Sequence, residues 1–95
     1  MAWKIELDPS VEREFSKMDP QNVRRILAFL HGRLATLDDP RSIGEALKGS
    51  KLGSFWKYRV GDWRVIAHIE DGALLILVLR IGDRKDVYRH GLETP

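Results

Sequence analysis

Lys57, Arg59 and Arg64 are the residues from which a chemistry can first be read, in the stretch FWKYRVGDWR from Phe55 to Arg64. An alternating run, the pair Gly61-Asp62 and a second alternating run describe a β-hairpin with a two-residue loop. Pairing about that loop sets Val60 opposite Trp63 and Arg59 opposite Arg64, with Lys57 two residues back on the same side. Like charges placed directly opposite one another cost stability. A bound phosphodiester would offset that cost, because arginine presents a planar fork to phosphate oxygens. Arg84, just after Gly82-Asp83, adds a further cation, and Tyr88 four residues on offers a ring on which a splayed-out base can stack. The same arginines are equally consistent with side chains that splay into solvent or pair with acids such as Asp62.

Other catalytic sets are absent from the sequence. It has no Gly-rich phosphate loop, no HExxH, no CxxC and no nucleophile elbow. The three histidines fall on different elements. His31 lies on the polar side of a helix and reads as a surface residue, and His90 lies near the chain end. His68 shares the parity of Arg64 and borders the basic face, with a structural role as the alternative. Asp38-Asp39 and Glu70-Asp71 read as turn and cap acids, so no carboxylate set has metal-ligand spacing. No metal and no cofactor are expected.

The elements that must position these residues are legible from periodicity. Trp3 to Leu7 alternates apolar and charged residues and reads as a first strand. Asp8-Pro9 supplies an N-cap and a first helical residue, and Val11, Phe15 and Met18 follow on one helical face. Asp19-Pro20 repeats the punctuation before Val23, Ile26, Leu27, Leu30, Leu34 and Leu37 at helical spacing. The two elements read as a helical hairpin. Asp38 to Ser54 is polar and Gly-rich, a loop with one helical turn expected around Ile43 to Leu47. Three strands follow: Phe55 to Val60, Trp63 to Ile69, and Ala73 to Ile81 after the turn Glu70-Asp71-Gly72. The last is apolar on both parities and reads as the central, doubly covered strand. GDRKDVYRH reads as a short strand or helix. The fold class is α+β: an N-terminal strand, a helical hairpin, then an antiparallel β-meander in one domain over residues 1–90, with a loose tail at 91–95. The helices can cover only one sheet face, which leaves Lys57, Arg59 and Arg64 on the other.

Composition agrees with one small globular domain. The chain has 95 residues, 43% of them hydrophobic, and no cysteine. MAWKIELDP does not resemble a signal peptide, and the longest apolar run, ALLILVL, is too short to span a bilayer. A soluble, cytoplasmic protein with no membrane partner is expected. The net charge of +2 is unevenly placed. Arg41 to His90 holds ten Lys/Arg against six Asp/Glu, whereas Met1 to Pro40 holds six against seven. The basic C-terminal half permits contact with a polyanion.

Two stretches, LKGSKLGSFWKYRVGDWRVIAHIEDG and LVLRIGDRKDVYRH, together with the helical hairpin upstream, resemble the RelE toxins of the RelE/ParE superfamily of bacterial toxin–antitoxin systems. The resemblance spans nearly the whole chain. It implies a small antiparallel sheet with helices on one face, and a ribosome-dependent mRNA interferase that cuts mRNA in the ribosomal A site without a metal. It assigns a catalytic set of Lys57, Arg59, Arg64, Arg84 and Tyr88, and an RNA-binding set of Lys48, Lys51, Lys57, His68 and Lys85. In the implied reaction the ribose 2′-OH attacks its own phosphate. Arg59, Arg64 and Arg84 supply charge, Tyr88 stacks on or orients the nucleotide, and Lys57 is the better candidate acceptor if the neighbouring arginines lower its pKa; if the acceptor belongs at position 59, the task falls to Tyr88, His68 or the ribosome. Arg59 stands where some family members have a second lysine, and arginine does not usefully lose a proton. Asp83 stands where relatives often carry a base.

The resemblance also implies partners: a cognate RelB-like antitoxin, the ribosome and mRNA, and operator DNA only through the antitoxin complex. Two other readings remain open. One is a ParE-like toxin that inhibits DNA gyrase by contact, without catalysis. The other is a relative whose basic face binds RNA but does not cut it.

Overall fold

Aspartate–proline pairs start the helical segments. In the computed structural model, which describes residues 2–47 and 55–83, strand β1 (Lys4–Leu7) runs into Asp8, whose carboxylate accepts the Ser10 N–H at 2.9 Å. Helix α1 (Pro9–Lys17) begins there with proline in its first turn, where a missing N–H costs nothing. The Ser10 hydroxyl, then the Ser10 N–H, hold the Asp8 carboxyl below the usual aspartate range. Helix α2 (Pro20–Gly32) is started in the same way, with the Asp19 carboxylate accepting the Gln21 N–H at 3.0 Å.

A third pair, Asp39-Pro40, does the same work on a smaller scale. Asp39 accepts the Arg41 N–H at 3.0 Å and opens a 3-10 turn over Pro40–Ile43. The helical turn expected around Ile43 to Leu47 is therefore displaced toward the N-terminus. Its intended residues instead form a two-residue edge strand, β2 (Glu45–Ala46). Helix α2 likewise stops earlier than its apolar spacing suggests. It ends at Gly32, and a 3-10 turn over Leu34–Thr36 carries Leu34 into the core.

The sheet holds five strands in the order β1-β5-β4-β3-β2, where β3 is Phe55–Val60, β4 is Trp63–Glu70 and β5 is Leu75–Asp83. From β2 to β5 neighbours are antiparallel, and β1 pairs parallel to β5. The apolar run expected at the centre is thus one place off it, and β4 holds the middle. The run also starts later than expected. Asp71–Ala73 form a 3-10 turn, and Leu74 takes a left-handed conformation before β5 begins at Leu75.

Both helices lie on one face. Val11, Ile26, Leu30 and Leu34 meet Tyr58, Val60, Val65, Ala67, Ile69, Ile76, Val78 and Ile81 in one core cluster. Fully burying a side chain such as Ile26 or Leu30 contributes roughly 1.5–3 kcal/mol. Trp3 is a packing residue, and its indole N–H donates to the Leu37 carbonyl at 3.0 Å. Among the described residues no helix is long and apolar enough to cross a membrane.

One irregularity changes which face a side chain takes. Ile66 pairs with Arg80 and Ala67 pairs with Val78, so Leu79 is an extra residue on β5, a β-bulge. The bulge is tied to the start of α1. The Ser10 hydroxyl lies 3.1 Å from the Leu79 carbonyl, and the Asp8 N–H donates to the Val78 carbonyl at 2.8 Å.

Candidate nucleic-acid interface

The hairpin forms as its spacing requires. Val60 pairs with Trp63, and Arg59 with Arg64. Gly61 has φ +62°, while Asp62 is not among the positive-φ residues. A positive φ at the first central position alone marks a type II′ turn, whose twist suits the flanking strands.

Two rows of partners cross the sheet on the face away from the helices. One runs Arg59, Arg64, Gly82; the next runs Lys57, Ile66, Arg80. Glu45 on β2 extends the second row from the far side of Lys57. Ile66, between Lys57 and Arg80, is buried although it lies outside the main core cluster. The cations therefore flank a buried apolar strip. A third row sets Phe55 against His68 and Leu77.

The opposed arginines do not face each other in the free protein. Arg59 leans toward β2, with its Nε 3.7 Å from a Glu45 carboxylate oxygen. Arg64 folds back on the turn, with Nη1 donating to the Gly61 carbonyl at 3.1 Å and to the Trp63 carbonyl at 3.0 Å. Divergence lowers the repulsion that their register imposes. The Arg59–Glu45 pair is long and exposed, and such pairs contribute about 0–1 kcal/mol. An incoming phosphate can therefore compete for Arg59 at small cost.

His68 lies on the same face and is held on two sides. Its Nε2 is 2.7 Å from a Glu70 carboxylate oxygen, and the Phe55 ring meets it edge-on at 5.9 Å. Its Nδ1 is buried with no hydrogen-bond partner among the described residues. Lys48, Lys51, Arg84, Lys85 and Tyr88 lie outside the described residues, as does the segment GDRKDVYRH beyond Asp83.

Arg80 is the residue that sequence reasoning missed. In a regular strand it would point into the core, because Val78 does. The bulge at Leu79 reverses the parity, sending Ile81 into the core and Arg80 to the basic face.

Arg41 ties the 3-10 turn over Pro40–Ile43 to the turn after β4. Its guanidinium makes a two-pronged contact with Asp71, at 3.0 and 2.7 Å, and sits 6.0 Å from the centre of the Trp56 ring. The Asp71 hydrogen bond is the first cause that raises the Arg41 pKa and lowers that of Asp71. Trp56, like Trp3, is thereby engaged within the fold. Among the described residues no group of three His, Asp or Glu side chains is placed to hold a metal ion.

A two-helix layer on one side of a five-stranded sheet is the architecture of RelE-like toxins. The toxin of the RelBE2 toxin–antitoxin complex of Mycobacterium tuberculosis superposes with a TM-score of 0.79 at 21% identity, covering 88% of this chain and 93% of that one. The archaeal RelE–RelB complex of Pyrococcus horikoshii gives 0.70 at 24% identity, covering 88% and 97%. A double-arginine variant of the E. coli toxin RelE in the free state gives 0.70 at 19% identity, covering 98% and 95%. In sequence, toxin RelG of Mycobacterium tuberculosis is 26% identical over 89 residues, 94% of this chain and 99% of RelG. The family model described as ParE toxin of type II toxin–antitoxin system, parDE, matches residues 5–88, and the chain belongs to that family, within the RelE/ParE superfamily of type II toxins.

Proposed function

We propose that this toxin is a ribosome-dependent mRNA interferase. The observation that carries the reading is the set of cations on the face away from the helices, where Lys57, Arg59, Arg64 and Arg80 occupy two adjacent rows. That density of charge suits an RNA backbone, and a guanidinium can stabilise the dianionic phosphorane of a strand cut. In the reaction the 2′-oxygen bonds to phosphorus as the bond from phosphorus to O5′ breaks. The products are a 2′,3′-cyclic phosphate and a 5′-hydroxyl. The 2′-OH proton passes to a base, and O5′ takes up a proton as it leaves.

Lys57 is the proposed proton acceptor, by family resemblance and by its place in the row beside Arg59 and Arg64. Arg59 and Arg64 are the proposed charge stabilisers. By family resemblance Arg84 acts at the leaving side and Tyr88 orients the nucleotide, with Lys48, Lys51, His68 and Lys85 along the RNA path. The protein acts in the cytoplasm, where ribosomes and mRNA are. Its antitoxin is RelB-like, as in the solved complexes of the M. tuberculosis and P. horikoshii relatives, and operator DNA is met only through that complex.

The test is primer-extension mapping of a model mRNA on purified ribosomes, with Arg64→Ala, Arg84→Ala and Tyr88→Phe beside the native chain. Ribosome-dependent cuts in the A-site codon, lost in the variants, are expected. Growth arrest by a folded protein that makes no cuts would overturn the reading. One observation favours a second reading, a gyrase inhibitor that acts by contact: the family model that matches is the one described for ParE. A supercoiling assay separates the two.

A further inference from the structure

Strand β2 is two residues long, and Glu45 is the first of them. Glu45 pairs with Lys57 and Ala46 with Trp56, so β2 stops short of Arg59. From Tyr58 to Val60 the edge of β3 has no partner strand among the described residues. A groove of about 460 Å³ opens there. Its far wall is a stripe of α2 and its C-cap, where Arg25, Phe29 and Arg33 recur every four residues. Phe29 is set by the buried Tyr58, with ring centres 5.9 Å apart. Arg59 and Glu45 line the near wall, and Glu45 is the one carboxylate in the lining among the described residues.

Arg59 therefore has two places to be. Its register sets it opposite Arg64, on the face it shares with Lys57. Its guanidinium is instead drawn sideways to the sheet edge, with Nε 3.7 Å from a Glu45 carboxylate oxygen. Asp62 is nearer in sequence but makes no ion pair among the described residues. Arg64 turns the other way, onto the Gly61 and Trp63 carbonyls. A carboxylate and a phosphate both offer a guanidinium anionic oxygens, so Glu45 takes the role that a phosphate would take at Arg59. The neighbours of β2 hold this acid in place. Only Gly44 separates Glu45 from the 3-10 turn over Pro40–Ile43. The Arg41–Asp71 pair and the Tyr58 hydroxyl on the Pro40 carbonyl fix that turn. On the other side of β2, the Leu47 N–H donates to the Phe55 carbonyl at 3.0 Å.

We propose that Glu45 is a built-in counter-ion that parks Arg59 in the free toxin and competes with RNA phosphate for it. The inference rests on the reading of the basic face as an RNA site and adds a control to that face. Without a ligand, the parked position relieves the repulsion that the Arg59–Arg64 register imposes. When a phosphate arrives, Arg59 leaves Glu45 and turns back beside Arg64. The carboxylate it leaves stays among cations, because Arg25 and Arg33 line the same groove. The Arg59 and Glu45 side chains are 67% and 60% exposed, so the hold is weak. A weak hold is what such a control needs. It lowers affinity for stray RNA by up to about fivefold, and RNA presented to the face at high effective concentration overcomes it.

The experiment measures binding of a short, uncleavable 2′-O-methyl RNA to the full chain by fluorescence anisotropy, without ribosomes and across a salt series. Glu45→Gln should bind about two- to fivefold more tightly than the native chain at low salt. Its log–log salt slope should be steeper by up to about one unit. Removing any acid near a polyanion site gives some gain, so two comparisons isolate the pair. Asp62→Asn takes the same charge from the adjoining hairpin turn and should gain less. Glu45→Gln made in an Arg59→Ala chain should gain no more than Asp62→Asn does. In NMR titrations with inorganic phosphate, the Arg59 Nε–H resonance should move at lower phosphate in Glu45→Gln than in the native chain. A gain no larger than that of Asp62→Asn, or an equal gain with and without Arg59, would overturn the counter-ion. Tighter binding that depends on Arg59, with no cuts on ribosomes, would sink the interferase reading and leave the counter-ion standing. Cuts on ribosomes with RNA affinity unchanged in Glu45→Gln would do the reverse.

Discussion

Arg80 stands opposite Ile66 while Val78 stands opposite Ala67, so Leu79 has no partner of its own on β4. This one-residue slip puts a guanidinium on the face that carries Lys57, Arg59 and Arg64. Bulges commonly re-aim a side chain beside a functional site. Arg80 makes no ion pair or side-chain hydrogen bond among the described residues. Arg80→Ala should weaken binding to single-stranded RNA and lower the salt dependence of that binding by about one unit of log–log slope. Affinity measured across a salt series checks this, and an unchanged slope would remove Arg80 from the RNA path.

Ser10 holds the bulge to the rest of the fold. Its N–H and hydroxyl meet the Asp8 carboxylate at 2.9 and 2.7 Å, and the hydroxyl also lies 3.1 Å from the Leu79 carbonyl. Ser10→Ala should cost about 1 kcal/mol, from a weakened cap and an undersatisfied strand carbonyl. Urea unfolding reads the stability. Hydrogen exchange at the Asp8 amide, which donates to Val78, should quicken in the same variant if cap and bulge are coupled. Exchange at the native rate would show that they are not.

How far the fold is legible in the sequence depends on whether local chemistry decides it. The Arg59–Arg64 register is readable because Gly61-Asp62 fixes both the loop length and the turn type. Asp8-Pro9 and Asp19-Pro20 are readable because an apolar helical period follows each. Asp39-Pro40 is the same signal, but Arg41-Ser42-Ile43 has no period to confirm it, so the 3-10 turn is lost in a polar stretch. The bulge is hidden because Ala73 to Leu79 is apolar on both parities, and parity therefore cannot mark the slip. The parallel pairing of β1 with β5 joins segments some 70 residues apart, and no local pattern encodes it. Arg25 and Arg33 read as an ordinary solvated helix face until the short β2 leaves a groove beneath them.

Tyr58 links the groove to the core, and Gly44 is what lets it sit there. The Tyr58 hydroxyl donates to the Pro40 carbonyl at 2.8 Å, and a Cβ on Gly44 would come within 2.7 Å of the Tyr58 ring. The ring is packed in the core, so it cannot yield easily. Gly44→Ala should cost about 1–3 kcal/mol by overpacking. Burial also pushes the Tyr58 phenol well above its ordinary pKa of 10.0. The native state then keeps a proton that the unfolded chain releases. The associated stability is complete below pH 10.0 and is lost as pH rises above it. The slope should approach about 1.4 kcal/mol per pH unit. Unfolding midpoints at pH 9 and pH 11 test this against Tyr58→Phe, which should lose that share of the slope. An equal slope in the variant would mean that Tyr58 titrates normally.

Leu74 is a residue out of place in two respects. It is 39% exposed, and it adopts φ 48° and ψ 49°, a left-handed conformation that costs a residue with a Cβ roughly 1–2 kcal/mol. The geometry is enforced from both ends. The Leu74 N–H donates to the Asp71 carbonyl at 3.1 Å, and its own carbonyl accepts the Lys4 N–H at 2.8 Å, which joins the turn to β1. Asparagine visits this conformation more readily and exposes no apolar surface. Leu74→Asn should therefore keep both hydrogen bonds and raise stability by about 0.5–1 kcal/mol, a few degrees in thermal midpoint for a chain of this size. Leu74→Gly should gain less, because glycine gives back much of the relieved strain as unfolded-state entropy. A fall in midpoint for Leu74→Asn would mean that the half-exposed leucine makes contacts worth more than the strain it carries.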